Sequence, residues 1–165
     1  MKIVSNAPLE DWEKYKNLRI EALKNVPQAF LDDQDMAEKM SKEEWQRRMS
    51  SMYFAEIDGK WVGMIGAYQE EKTKVKHILN IVSVYVAPSY RGQGIGKALL
   101  EYVIEQAKKN PEIKKLLLGV VTTQEPAQEL YKSLGFIKGG YLKYAVKVGK
   151  QYFDEYLMEL YLWKL

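Results

Sequence analysis

The sequence predicts an α/β fold: a single domain, residues 1–165, built on a mixed and mostly antiparallel sheet of about seven strands flanked by helices. Three observations carry that reading. Two apolar, aromatic-rich runs meet at Asp58-Gly59, a strong hairpin signal, and a third apolar run, "HILNIVSVYVA", follows. A glycine-rich turn, "YRGQGIGKAL", joins that run to a helical pattern, and a second strand-like run and a second helical pattern come next. Two long strand-like runs around Gly149 close the chain.

Taken in order, residues 2–5 read as a short strand. "PLEDWEKYKNLRIEALKN" then sets Leu9, Trp12, Tyr15, Leu18 and Leu23 at helical spacing, with Pro8 in the first turn. "VPQAFLDDQDMAEKM" lacks clear periodicity and reads as helical but partly irregular. In "SKEEWQRRM" Ser41 and Glu44 have capping-box spacing ahead of a short helix. After the hairpin, the polar "EEKTKVK" turns the chain into the third strand, which Pro88 ends. "GKALLEYVIEQAKKN" repeats its apolar positions at three and four, and Asn110-Pro111 stops it. "KKLLLGVV" reads as a buried strand and "TQEPAQELYKSLG" as a helix. The closing "YFDEYLMELYLW" alternates like a strand and reads as core or a dimer edge. No repeat or linker divides the chain.

Composition narrows the classes of function. The net charge is +3, with Lys and Arg scattered among acids, so the footprint of a nucleic-acid binder is absent. No apolar run reaches membrane-spanning length, and the N-terminus turns polar after four residues, which reads as cytoplasmic. The absence of cysteine removes thiolate nucleophiles and cysteine-based metal sites, and no metal is expected.

The turn at 90–99 is the part of the sequence that points to chemistry. Gly92, Gly94 and Gly96 alternate between a strand and a helix, flanked by Arg91 and Lys97. Glycine lets backbone turn through positive φ and approach a ligand, and the helix start aims N–H groups at one point. A P-loop needs glycine where Arg91 stands and Ser or Thr where Ala98 stands, and a dinucleotide fingerprint needs glycine where Lys97 stands. Both nucleotide loops fail. From the glycines alone, a phosphate cradle and a merely tight connection remain equal readings.

The wider pattern separates them. "VYVAPSYRGQGIGKALL" resembles the acetyl-coenzyme A signature of the GNAT superfamily of N-acetyltransferases, matched at Arg91, Gly94 and Gly96. "QEPAQELYKSLGF" resembles the second motif of that family, matched at Ala127, Leu130, Tyr131, Gly135 and Phe136, with Gln124 where the family usually has Asn. "PQAF", "SKEEW", the hairpin and "YFDEYLMEL" follow the order seen in small bacterial members, so the resemblance covers nearly the whole chain.

The resemblance implies a fold, a cosubstrate and a set of roles. Acetyl-CoA is the acetyl donor. The amides of Arg91, Gly92, Gln93, Gly94, Ile95, Gly96 and Lys97 hold its pyrophosphate. Val84, Tyr85 and Val86 splay from the next strand and offer backbone groups to the pantetheine arm, and an N–H near Val84 or Tyr85 faces the thioester carbonyl. Tyr131 stands beside the coenzyme sulfur as general acid, where the bland reading is packing against Leu130 and Leu134. Gln124 either bonds the pantetheine arm or simply sits in the first turn of its helix.

The acceptor half is less legible. An amine must lose a proton before it attacks, yet "HILNIVSVYV" carries no carboxylate. Asn80 and Ser83 can only position a water, His77 lies at the strand's beginning, and Glu56 and Glu70 lie on the hairpin strands; none is placed in the catalytic set. Asp32, Asp33 and Asp35 fall where an acceptor loop belongs and read as an acidic rim for a cationic amine or as a solvated loop. The expected partner is a primary amine of a small molecule or protein, its identity unspecified, acted on by a monomer or homodimer. A non-catalytic acyl-CoA sensor with the same turn is the rival class.

Overall fold

The computed structural model describes residues 1–162. Among these residues seven strands are present: β1 (Lys2–Val4), β2 (Met52–Ile57), β3 (Lys60–Gln69), β4 (Ile78–Val86), β5 (Lys115–Val121), β6 (Ile137–Val148) and β7 (Gln151–Tyr161). Five α-helices join them: α1 (Trp12–Asn25), α2 (Gln34–Lys39), α3 (Lys42–Met49), α4 (Ile95–Lys109) and α5 (Glu125–Ser133). The sheet order is β1-β2-β3-β4-β5-β7-β6, with β4 and β5 parallel. The mixed, mostly antiparallel sheet of seven strands agrees with the sequence reading. Trp163 of the closing aromatic run lies outside the described residues.

By its backbone contacts the chain gathers into two compact units: Met1–Gly66 with Ser83–Leu100, and Ala67–Val82 with Glu101–Leu165. In the first, α1 buries Tyr15, Leu18, Ala22 and Leu23 in a core that includes Trp45, Phe54, Trp61, Met64 and Tyr85. The rings of Phe54 and Trp61 stack at 3.9 Å, and Tyr15 meets Trp45 edge-on at 5.1 Å. Leu9 is exposed, because Leu9–Asp11 forms a single 3₁₀ turn ahead of α1 and turns that side chain away from the buried stripe. The stretch without clear periodicity still makes α2: Asp33 caps it by accepting from the Met36 amide at 2.7 Å. Ser41 and Glu44 form the expected reciprocal capping box. Asp58 and Gly59 turn the hairpin with φ of +50° and +76°, the pattern of a tight two-residue turn.

In the second unit, Ile78, Leu79 and Asn80 pair in parallel with Lys115, Leu116 and Leu117. β7 pairs β5 through seven residues, from Lys115↔Tyr161 to Val121↔Glu155, and β6 covers the outer edge of β7. Leu116, Leu118, Tyr131, Phe136 and Met158 are buried there.

Candidate active site

The first unit holds the glycine turn. β4 ends at Val86, Pro88–Tyr90 makes one 3₁₀ turn, and α4 begins at Ile95. Gly92 and Gly94 take φ of +73° and +78°, which other residues adopt at a cost of about 1–2 kcal/mol. Open space surrounds both: a Cβ on either would meet no atom within 4 Å. The Ala98 amide makes the bond to Gly94 O at 3.0 Å, so the amides of Ile95 and Gly96 enter the helix with no helical carbonyl behind them. Ile95, Leu99 and Leu100 are buried and fix this end of the helix, while residues 91–94 and Lys97 are exposed. The result is an open turn leading into α4, with the Arg91 amide already taken by Pro88 O at 3.2 Å.

The Arg91 side chain is tied to the end of β4. Its Nε donates to Val86 O at 2.9 Å, and its guanidinium lies 5.6 Å from the centre of the Tyr85 ring. It therefore binds the turn to the end of β4 as well as adding charge. Gln93 donates to Ser89 O at 3.3 Å. Gly63 on β3 lets the helix come close: a Cβ there would be 3.1 Å from Leu99 and 3.2 Å from both Ile95 and the Tyr85 carbonyl.

Upstream, Ser83 has left-handed backbone, φ +57°, inside β4. Such a residue interrupts the regular run of the strand just before Val84, Tyr85 and Val86. Val84 and Val86 are half-buried, whereas Tyr85 is buried, and its hydroxyl donates to Glu21 Oε1 at 3.0 Å and accepts from Asn25 Nδ2 at 2.8 Å. Burial, with the Glu21 carboxylate as a lesser cause, raises the Tyr85 pKa.

Sequence reasoning missed what holds Ser83. Arg19, 5% exposed, donates from Nη1 to Ser83 Oγ and from Nη2 to Asp32 Oδ2, both at 2.9 Å, and its guanidinium packs on the Phe30 ring at 4.5 Å. Arg48 adds a second bond to the same carboxylate oxygen at 2.6 Å. Burial opposes ionisation of Asp32, but the two arginines outweigh it and hold its pKa below the ordinary carboxylate range. Asp32 is thus enclosed by cations, and Asp33 is occupied as a helix cap, which leaves Asp35 of the three acids read as a rim. The signal for Arg19 was its place in the buried stripe of α1, between Leu18 and Ala22.

The second unit holds the other two predicted residues, one just before α5 and one within it. Gln124 is the N-cap residue; its side chain makes no capping bond. Two turns on, Tyr131 is 5% exposed with its ring 5.9 Å from Phe136, and burial alone pushes its pKa well above that of a free phenol. Tyr131 thus stays protonated across any working pH. Of the candidates for a base, Glu70 accepts from Asn80 Nδ2 at 3.0 Å, while in the first unit Glu56 accepts from the Trp61 indole at 3.2 Å. The carbonyl of His77 accepts from the amides of Lys114 and Lys115.

Known proteins resemble this chain in both sequence and fold. It is 28% identical over 136 residues to an uncharacterized N-acetyltransferase of Methanocaldococcus jannaschii, covering 81% of this chain and 59% of that one. It is 34% identical over 107 residues to human N-acetyltransferase 8, covering 64% of this chain but 46% of the relative, so the chain spans only part of the length of these relatives. Among solved structures, a GNAT-family acetyltransferase from Streptococcus pneumoniae superposes with a TM-score of 0.85 at 23% identity, over 98% of this chain and 99% of that one. A phosphinothricin acetyltransferase from Sinorhizobium meliloti, in complex with acetyl-CoA, superposes with a TM-score of 0.84 at 20% identity, over 98% and 88%. At that identity the two structures speak for the fold. The sequence profile of the Acetyltransferase (GNAT) family matches residues 12–136. With most of its length inside that match, the chain belongs to the GNAT acetyltransferase family.

Proposed function

We propose that this protein transfers acetyl from acetyl-CoA directly to a primary amine of a small molecule or protein in the cytoplasm. The observation that carries the reading is the turn at residues 92–97, with open space at Gly92 and Gly94 and the first amides of α4 following it, the Arg91 amide being taken by Pro88 O. In this reading the pyrophosphate takes the place of a helical carbonyl for those amides, and Lys97 supplies charge. The backbone of Val84, Tyr85 and Val86 pairs with the pantetheine amides as an added strand. The left-handed backbone at Ser83 and the end of the β4–β5 ladder at Asn80 support this.

Chemistry then follows from the thioester. The amine nitrogen attacks the carbonyl carbon, charge builds on its oxygen, and an N–H of Val84 or Tyr85 stabilises it. The C–S bond breaks and the pair stays on sulfur. A thiol has a pKa of about 8.5, below that of a buried phenol, so Tyr131 serves the departing sulfur as a hydrogen-bond donor in the transition state. Gln124, with no capping bond to its helix, is available to the pantetheine arm.

The test couples calorimetric titration with acetyl-CoA to coenzyme A release across a panel of spermidine, a lysyl peptide and an N-terminal alanyl peptide. Binding with amine-dependent release supports the reading. Binding without release for every amine instead supports an acyl-CoA sensor, and no binding removes both.

A further inference from the structure

β7 carries a carboxylate that the rest of the site does not use. Glu155 pairs with Val121 of β5 on one side and Leu142 of β6 on the other. Its side chain lies over the bare backbone of Gly119: a Cβ on Gly119 would fall 2.5 Å from Glu155 Oε1 and 2.8 Å from Oε2. A glycine inside "LLLGVV" is otherwise a poor choice for a strand, so the gap has a structural purpose: it houses this carboxylate. The neighbouring acids of β7 are occupied. Asp154 accepts from the Tyr141 hydroxyl and the Tyr144 amide, and Glu159 accepts from Lys115 and Tyr161. Glu155 makes no hydrogen bond or ion pair among the described residues.

Two placements give this carboxylate a task. Directly paired residues of an antiparallel pair share a face, so Glu155, Val121, Leu157 and Gly119 lie on one face and Met158 and Leu160 on the other. Gly135, just after α5, packs against Leu160, with a Cβ there only 3.3 Å from Leu160 Cδ1. The helix bearing Tyr131 therefore ends on the face opposite Glu155. The second placement is the register. Asn80 pairs with Leu117 as the last pair between β4 and β5, so Gly119 lies two residues past the point where that ladder ends.

We propose that Glu155 is the general base of acetyl transfer, taking the proton that the acceptor ammonium must lose before its nitrogen attacks the thioester carbon. This rests on the acetyl-transfer reading above and adds its missing group. The N–H proton passes to a carboxylate oxygen, the C–N bond forms, the C–S bond breaks, and Glu155 returns its proton to water. Burial alone raises the Glu155 pKa, which narrows its gap to an alkylammonium. From β5 its face presents Leu117, Gly119 and Val121, and from β6 Gly140 and Leu142; the charged pair on that face, Lys115 and Glu159, is satisfied internally at 2.7 Å.

The test compares wild type and Glu155→Gln from pH 6 to 10, using the best amine of the panel and calorimetry with acetyl-CoA. At pH 7 the variant should lose roughly 10²-fold in turnover with unchanged acetyl-CoA affinity, and the deficit should shrink as the amine deprotonates itself at higher pH. Gly119→Ala, which displaces the carboxylate, should lower turnover in wild type and add little to Glu155→Gln. A deficit constant across pH, or none at pH 7, overturns the assignment while leaving acetyl transfer intact. A wild type that binds acetyl-CoA but acetylates no amine overturns both.

Discussion

Arg19 Nη1 lies 2.9 Å from Ser83 Oγ, and through that bond helix α1 grips the left-handed residue of β4. Two costs meet there: Ser83 carries about 1–2 kcal/mol of backbone strain, and a buried guanidinium needs partners. Ser83→Ala keeps the strain and removes a partner, so it should destabilise by about 1–3 kcal/mol. Ser83→Gly loses the same bond and relieves the strain, so it should stay closer to wild type. Urea unfolding of the two variants checks the order; an Ala variant as stable as the Gly variant would show that the left-handed backbone stores no strain.

Asp32 links stability to pH. Its folded pKa is depressed, with the Arg48 and Arg19 bonds outweighing burial. The stabilisation is therefore present above the unfolded value of about 3.9 and is lost as pH falls through the lower folded value. Asp32→Asn should cost about 1–2 kcal/mol near pH 7, after allowance for the partial exposure of the pair, and its deficit should vanish in acid. Thermal melts of both proteins at several pH values between 2 and 7 measure this; parallel curves would contradict it.

Gly94 is the position at which backbone conformation and ligand access coincide. Gly94→Val forces a β-branched residue into φ near +78° and covers the adjacent amides, and it should weaken acetyl-CoA binding by at least about 10-fold while circular dichroism stays native. Native affinity in a folded Gly94→Val protein would mean that the diphosphate is held elsewhere.

Tyr131→Phe keeps the ring against Phe136 and removes the hydroxyl. Turnover should fall by about 10–100-fold with acetyl-CoA affinity unchanged, because the hydroxyl acts on charge that appears only as the C–S bond breaks. Since burial holds the phenol protonated, wild-type turnover should show no fall between pH 8 and 10. A matching rise in Kd would point instead to a ground-state contact.

Much of this was legible in the residues. The hairpin at Asp58-Gly59, the capping box at Ser41 and Glu44, and the glycine turn each depend on local chemistry within a few positions, and local chemistry is written in sequence. The bonds around Ser83 and the bed of Glu155 are different in kind. Arg19 and Ser83 are 64 residues apart, and Gly119 meets Glu155 only because β7 inserts between β5 and β6. A lone arginine in an apolar stripe and a lone glycine in an apolar strand were the available signals, and each is silent about its partner. The acid run left two readings open, a rim for a cationic amine and a solvated loop, and neither named the two arginines that Asp32 holds.

The most direct test of the account is mass spectrometry of the amine panel after incubation with acetyl-CoA, with coenzyme A release followed in parallel. Acetyl transfer predicts one amine gaining a single acetyl group for each coenzyme A released, dependent on protein and abolished by Gly94→Val. Coenzyme A release that is indifferent to every amine, or no release at all, would contradict it.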